Sequence, residues 1–233
     1  MQNIYDNADF FDGYKKLRDN AEGYNDALEQ PAIRSLLNVS AKTVLDVGCG
    51  FGDFCRYARE QGAAQVIGLE PSRNMLDEAK QRTDDKHIEY VCEPIETFQM
   101  QENNVDVIVA SLVFHYVQDF GAVVKKIHSW LKSQGQLLFS VEHPLCTALL
   151  NEPQEGNYRD EAQVKQTWFI DGIEKYHRQL STYCNTLLCN GFTIDRVLEP
   201  MPTDEQIVDN PRFAIHKSRP PMLVISATCQ KGE

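Results

Sequence analysis

From Thr43 onward, short apolar runs rich in β-branched residues alternate with longer stretches of helical composition. The first run, Thr43-Val44-Leu45-Asp46-Val47, stops at Gly48. Residues 53–61 then read as a helix that ends at Gly62, a residue that closes helices readily. Val66-Ile67-Gly68-Leu69 reads as a second strand, and residues 72–82 as a helix with Ser72 at its N-cap. Ile88-Glu89-Tyr90-Val91 is a third strand. Residues 105–110 make a fourth, apolar except for Asp106. Runs of this kind suit strands buried on both faces of a parallel sheet. A helix over 120–131, a turn at Ser133-Gln134-Gly135 and a fifth strand over 136–141 complete the rhythm. The alternation predicts a doubly wound α/β architecture.

The two ends depart from that rhythm. Residues 1–40 read as helical and aromatic, with Pro31 near a helix start. Residues 144–177 hold Pro144, Pro153, Gly156, Trp168 and Gly172 and read as an insertion. A helix resumes over 178–189 and closes at Asn190-Gly191. Two final strands follow, over 192–198 and 222–228. The proline-rich segment between them is too short for a crossover helix with its loops, so the pair is expected to run antiparallel. A length of 233 residues fits one domain spanning the chain.

Charge narrows the function classes. Lys+Arg minus Asp+Glu is 23 − 34 = −11. That balance argues against nonspecific grip on nucleic acid or on an anionic membrane. One local basic stretch, Arg212, His216, Lys217 and Arg219, reads as a solvated loop. No apolar run approaches the roughly 20 residues that span a bilayer, and the acidic, aromatic N-terminus does not read as a signal peptide. The seven cysteines are scattered and never spaced C-x-x-C, so no metal site is expected. Reduced thiols in a cytoplasm are the simplest reading of them.

The strongest chemical signal is the loop Gly48-Cys49-Gly50-Phe51-Gly52, which follows a strand and opens a helix. Such glycines let a ligand lie against main chain, with the helix N–H groups behind it. Dinucleotide sites want G-x-G-x-x-G. Here the spacing is G-x-G-x-G, and Asp53 stands where the third fingerprint glycine would fall. A carboxylate there repels pyrophosphate, and Asp46 adds negative charge before the loop. Both suit a cationic cofactor instead. Glu70 ends the second strand 18 residues beyond Gly52 (70 − 52 = 18), placed to accept ribose hydroxyl hydrogen bonds.

Taken together, V-L-D-V-G-C-G-F-G-D, G-L-E-P-S and L-K-S-Q-G-Q-L-L-F-S resemble the signature set of class I S-adenosylmethionine methyltransferases. The likeness is to the methyltransferase type 11, or ubiquinone-biosynthesis-like, branch, and it covers residues 43 to about 143. It implies a Rossmann-like seven-stranded sheet, mostly parallel with an antiparallel last strand, and a helical N-terminal lid over residues 1–40. It implies S-adenosylmethionine as cofactor and S-adenosylhomocysteine as product. Gly48, Gly50 and Gly52, with Cys49 among them, would pass beneath the methionine part, supported by Asp46. Glu70 would hold the ribose, and Pro71 and Ser72 would pack beside adenine. Glu93 and Ile95 follow the third strand, where the family contacts adenine, although the local pattern departs from the family's. Ser111 and Leu112 would border the sulfonium. His115 matches a frequent family histidine on the substrate side, with a structural hydrogen bond as the competing role.

Methyl transfer leaves the hard chemistry to the cofactor, and the protein supplies orientation. A general base is needed only when the acceptor is still protonated. Candidates for base or acceptor contact are His143 in Ser140-Val141-Glu142-His143-Pro144, and Tyr176, His177 and Arg178 after the insertion. The insertion would cover the substrate pocket. Tyr14, Arg18 and Tyr24 would face the acceptor from the lid. The expectation is methyl transfer to a small molecule. The alternatives are a non-catalytic cofactor- or partner-binding member, a nicotinamide-dependent oxidoreductase, or a nucleic-acid methyltransferase. The last lacks the N/D-P-P-Y/F motif after the fourth strand. Acceptor and oligomeric state are open at this level.

Overall fold

The computed structural model of the protein describes residues 4–19, 23–150 and 157–232. The alternating runs become strands β1 (Thr43–Val47), β2 (Gln65–Leu69), β3 (Ile88–Val91), β4 (Val105–Ala110) and β5 (Leu131–Glu142). Helices α3 (Asp53–Glu60), α4 (Arg73–Gln81) and α5 (Phe120–Trp130) lie between them. They follow α1 (Ala8–Asp19), a π-helical turn (Asn25–Glu29) and α2 (Gln30–Ser35), whose first turn holds Pro31. After β5 come α6 (Pro144–Thr147), β6 (Gln163–Gln166), β7 (Ile173–Tyr176), α7 (Leu180–Cys189), β8 (Phe192–Leu198), α8 (Asp204–Asp209) and β9 (Met222–Cys229).

Seven strands form one sheet in the order β3-β2-β1-β4-β5-β9-β8. β1 to β5 pair in parallel, and β9 runs antiparallel to both of its neighbours. The fold class expected from the sequence is therefore the one observed. Alternation along a strand divides side chains between the two faces. In β1, Leu45 and Val47 join the core under α5 and α7, while Val44 joins the core under α2 and α3. The turn expected at residues 133–135 is a bulge inside a longer β5. Leu131 pairs with Val105, the register then shifts, and Gln136 pairs with Val107.

The insertion adds an antiparallel hairpin, β6 with β7, as a second small sheet. Pro153 and Gly156, and residues 1–3 and 20–22 of the N-terminal helical region, lie outside the described residues. The hairpin tip meets the N-terminal helix through an aromatic cluster. The fully buried Phe10 lies 5.6 Å from Trp168, 5.5 Å from Phe169 and 5.0 Å from Tyr5, edge to face in each case. Between β8 and β9 the proline-rich segment forms α8, opened by a Thr203/Gln206 capping box, and a 3-10 turn over Pro211–Lys217. No helix among the described residues is long and apolar enough to cross a membrane.

Candidate active site

Open α/β sheets bind ligands beyond the carboxyl ends of their strands, where the strand order reverses. That point falls between β1 and β4 here, and a cavity of about 900 Å³ opens there. The loop after β1 forms its floor. Gly48 has φ +71°, and a Cβ on it would collide with the Val113 side chain. Gly50 has φ +53°, and a Cβ there would meet nothing within 4 Å. The first glycine is thus needed for packing and turn geometry, and the second leaves main chain bare to the cavity. Gly52 caps α3 in the left-handed region and is not among the lining residues.

Glu70 secures the loop. One carboxylate oxygen accepts the Gly50 N–H (3.1 Å) and the other the Ser72 N–H (3.0 Å). Each oxygen keeps a second lone pair for a ligand hydroxyl. Burial pushes the Glu70 carboxyl up to about 7, against the lowering effect of those two bonds. Burial likewise pushes Asp46 up to about 7, opposed by a bond from the Cys55 thiol (3.2 Å). Both residues line the cavity. Ser72 instead caps α4 by accepting the Met75 N–H (3.2 Å), and its hydroxyl donates to Asp6 (2.6 Å). Pro71 lines one side wall, with Glu93 and Ile95. Lys126 steadies that stretch by donating to the Ile95 and Glu96 carbonyls (3.0 and 2.9 Å).

The wall after β4 carries a residue that no motif announced. Glu29, at the end of the π-helical turn, is fully buried, and its Oε1 accepts the hydroxyls of Ser111 and Ser140, each at 2.6 Å. It ties the N-terminal region to β4 and β5. Leu112 follows with φ +55°, a conformation that a branched residue adopts at a cost of about 1–3 kcal/mol. Its N–H is held by the Ser140 hydroxyl (2.9 Å) and carbonyl (3.2 Å). Ser111 and Leu112 both line the cavity, as does His115.

His115 is the lining histidine nearest this wall. Its Nδ1 accepts the Glu142 N–H (3.3 Å), so the ring proton sits on Nε2. Burial first, then Lys175 and Arg178, hold its pKa well below the ordinary value and keep it neutral. Beside it, Glu142 lines the cavity and is ion-paired to the buried Lys175, which also bonds Gln166. Tyr14, Arg18 and Tyr24 line the cavity from the N-terminal side. Arg18 lies 3.2 Å from Asp26 and 3.4 Å from Asp53, so it joins α1 to the start of α3.

Four expected acceptor-side residues lie elsewhere. Neither His143, Tyr176, His177 nor Arg178 is among the lining residues. His143 is buried, with Nδ1 accepting the Leu145 N–H (3.1 Å) and Nε2 donating to Glu199 (2.8 Å). His177 is buried, with Nδ1 bonded to the Thr147 hydroxyl (2.7 Å) and Nε2 to the Tyr158 carbonyl (3.0 Å). Both rings have both nitrogens engaged. Arg178 donates to the carbonyls of Phe114 (3.1 Å), Val117 and Gln118 (2.8 Å) and clamps the loop that carries His115. Strand parity explains two of the four, His143 and Tyr176. Glu142 faces the cavity, and the next residue turns away. In β7, Ile173 and Lys175 are the buried positions, and Tyr176 belongs to the other face. Glu142 stands next to the expected His143, and no local signal separates the two. Glu29 and Lys175 carry no local signal either, and Trp168 is marked in the sequence only as part of the insertion.

Comparison with known proteins agrees with this geometry. Residues 45–139 match the methyltransferase domain family known as type 11. The chain is 34% identical over 249 residues to an uncharacterized protein of Haemophilus influenzae, covering 96% of each chain. A crystal structure of an S-adenosylmethionine dependent methyltransferase from Mesorhizobium loti superposes with a TM-score of 0.82 at 35% identity, covering 88% of this chain and all of that one. A ubiquinone biosynthesis O-methyltransferase of Bradyrhizobium diazoefficiens is 36% identical over 46% of this chain and 43% of its own length. The chain belongs to the class I S-adenosylmethionine-dependent methyltransferases, in the type 11 branch. Its cofactor is S-adenosylmethionine, and its product form is S-adenosylhomocysteine.

Proposed function

We propose that this protein transfers the methyl group of S-adenosylmethionine to a small-molecule acceptor in the cytoplasm. The observation that carries the reading is the cavity's acidic floor. Bare main chain at Gly50 lies among the buried carboxylates of Asp46 and Glu70, with Glu29 behind the wall after β4. Such a floor matches a ligand with an ammonium, a sulfonium and a ribose, and a volume of about 900 Å³ leaves room for a second molecule beside it.

In this reading Asp46, Gly48, Cys49 and Gly50 hold the methionine part, and Gly52 shapes the turn. Glu70 takes the ribose hydroxyls on its free lone pairs. Pro71, Glu93 and Ile95 flank the adenine, with Ser72 shaping that wall. Ser111 and Leu112 border the reacting sulfur. When bound, the cofactor supplies a carbon already activated by a positive sulfur. The protein's part is alignment and exclusion of water. His115 offers Nε2–H to the acceptor and Glu142 offers a carboxylate oxygen. Glu142 is the group that takes up a proton when the nucleophile still carries one. Helix α1 and the β6–β7 hairpin, joined through Phe10 and Trp168, act as a lid, with Tyr14 and Arg18 on its inner side. His143, His177, Tyr176 and Arg178 act by positioning this machinery.

The test is a calorimetric titration with S-adenosylmethionine, S-adenosylhomocysteine and NADH, on the wild type and on Glu70→Ala. The first two should bind, the variant should weaken both at least tenfold, and NADH should give no heat. Binding of NADH alone, or of none of the three, would refute the reading.

A further inference from the structure

The basic stretch that reads in the sequence as a solvated loop forms part of the cavity mouth. Arg212, Phe213 and His216 of the 3-10 turn line the cavity, although they stand nearly two hundred residues from the N-terminal side they face. Phe213 is buried against Tyr24, with ring centroids 5.0 Å apart, and His216 meets Tyr24 edge to face at 4.5 Å. Gln206 of α8 donates to the Ala27 carbonyl (3.0 Å), joining the same two segments a second time. The mouth is therefore a built surface.

Its charge is unlike the rest of the site. Four arginines line the cavity: Arg18, Arg34, Arg82 and Arg212. Arg18 pairs with Asp26 and Asp53, and Arg82 with Asp19 and Glu78. Arg34 lies over the Tyr57 ring at 4.2 Å. Of the lining carboxylates, Asp19, Asp26 and Asp53 are taken by those pairs and Glu142 by Lys175, while Asp46 and Glu70 belong to the floor and Glu93 to the wall beside Pro71. Arg212 has no ion pair and no side-chain hydrogen bond among the described residues, and the Tyr24 hydroxyl, close enough to feel the Arg212 charge, has no hydrogen-bond partner there either. Asn210 accepts the Arg212 backbone N–H (3.2 Å), which sets the turn and leaves the guanidinium free. Among its basic neighbours in sequence, Lys217 is bound to Asp204 (2.6 Å), and Arg219 does not line the cavity.

Building on the proposed methyl transfer, we propose that the acceptor carries an anionic group, a carboxylate or a phosphate, held at the mouth by the Arg212 guanidinium and the Tyr24 hydroxyl. The cavity then has two ends of opposite sign. The acidic floor receives the cationic cofactor, and the arginine at the mouth orients the acceptor with its anion outward and its nucleophile inward. A planar fork of donors suits either oxyanion. A free cation in a chain of net charge −11 also gives a local attraction for an anion that the overall field repels.

The test uses phenyl phosphate and benzoate as probes, with benzyl alcohol as the neutral control, titrated into protein with and without saturating S-adenosylhomocysteine. At least one anionic probe should bind the loaded protein, and benzyl alcohol should not. Arg212→Gln should weaken that probe at least tenfold and leave the S-adenosylhomocysteine affinity within twofold. Arg219→Gln, on the exposed neighbour, should change neither. The stronger probe tells carboxylate from phosphate. Normal cofactor binding with no anion binding would overturn the proposal and leave the methyltransferase reading intact, as would anion binding equal in wild type and Arg212→Gln. Loss of S-adenosylhomocysteine affinity in Arg212→Gln would also overturn it, because the arginine would then serve the cofactor's own carboxylate. Failure of the wild type to bind any cofactor would refute the methyltransferase reading instead, and the unloaded titration would still decide whether Arg212 holds an anion.

Discussion

Replacing Arg178 by methionine separates a loop clamp from a ligand-binding arginine. The guanidinium donates to three carbonyls, those of Phe114, Val117 and Gln118, and faces the rings of Phe120 and Tyr176 at 5.7 and 5.6 Å. Methionine keeps much of the aliphatic stem and removes the donors. Hydrogen bonds to a charged group contribute about 1.5–3 kcal/mol each, net of solvation. The bond to Gln118 is only partly buried, so water can replace it, whereas those to Phe114 and Val117 are buried. The Phe114 carbonyl keeps its bond from the Val117 N–H (3.2 Å), so one buried carbonyl, that of Val117, is orphaned and the loss comes to about 2–4 kcal/mol. That is a large share of the roughly 5–15 kcal/mol by which a domain is stable. With a urea slope of about 2–3 kcal/mol/M, the unfolding midpoint should fall by about 1–2 M. Urea unfolding followed by far-ultraviolet circular dichroism measures it directly. An unchanged midpoint, with loss confined to ligand binding, would refute the clamp and return Arg178 to the pocket.

Two further outcomes follow from the cavity floor. Burial holds the pKa of Asp46 and Glu70 at about 7, well above the value of about 4 of an unfolded carboxyl. Between about pH 4 and 7 the folded apo-protein therefore keeps protons that the unfolded chain has released, so this contribution to stability is complete below pH 4 and is lost as pH rises through 7. The cationic cofactor favours the ionised carboxylates, so its affinity should rise over the same range. Calorimetry at pH 5.5, 7 and 8 should show the opposite slopes, and a flat affinity profile would count against the acidic floor. Gly48→Ala should lower S-adenosylhomocysteine affinity at least tenfold, because its Cβ meets Val113 and its φ is +71°. Isothermal titration of a variant with wild-type affinity would show that the loop tolerates the methyl group.

What the sequence determined by itself was local or periodic. Strand and helix positions follow from the spacing of apolar residues, because each element must bury one face. The glycine loop and Glu70 were legible because a tight turn and a strand end are short-range features, with their chemistry confined to a few neighbouring positions. The antiparallel β9 was readable from the length of the segment before it. Only the tertiary structure decided which polar residues share the cavity. Glu29 reaches Ser111 and Ser140 across 82 and 111 residues of chain, and nothing in its own neighbourhood marks it. His143 looked as eligible as Glu142, yet strand parity at the end of β5 turned it away. Arg178 resembled a ligand-binding arginine until its three carbonyl partners, some sixty residues upstream, were in place. Arg212 passed for a surface charge because its setting depends on Tyr24, from the opposite end of the chain. Contacts of that range are set by how the whole sheet closes, a property of the packed molecule that no short window of sequence contains.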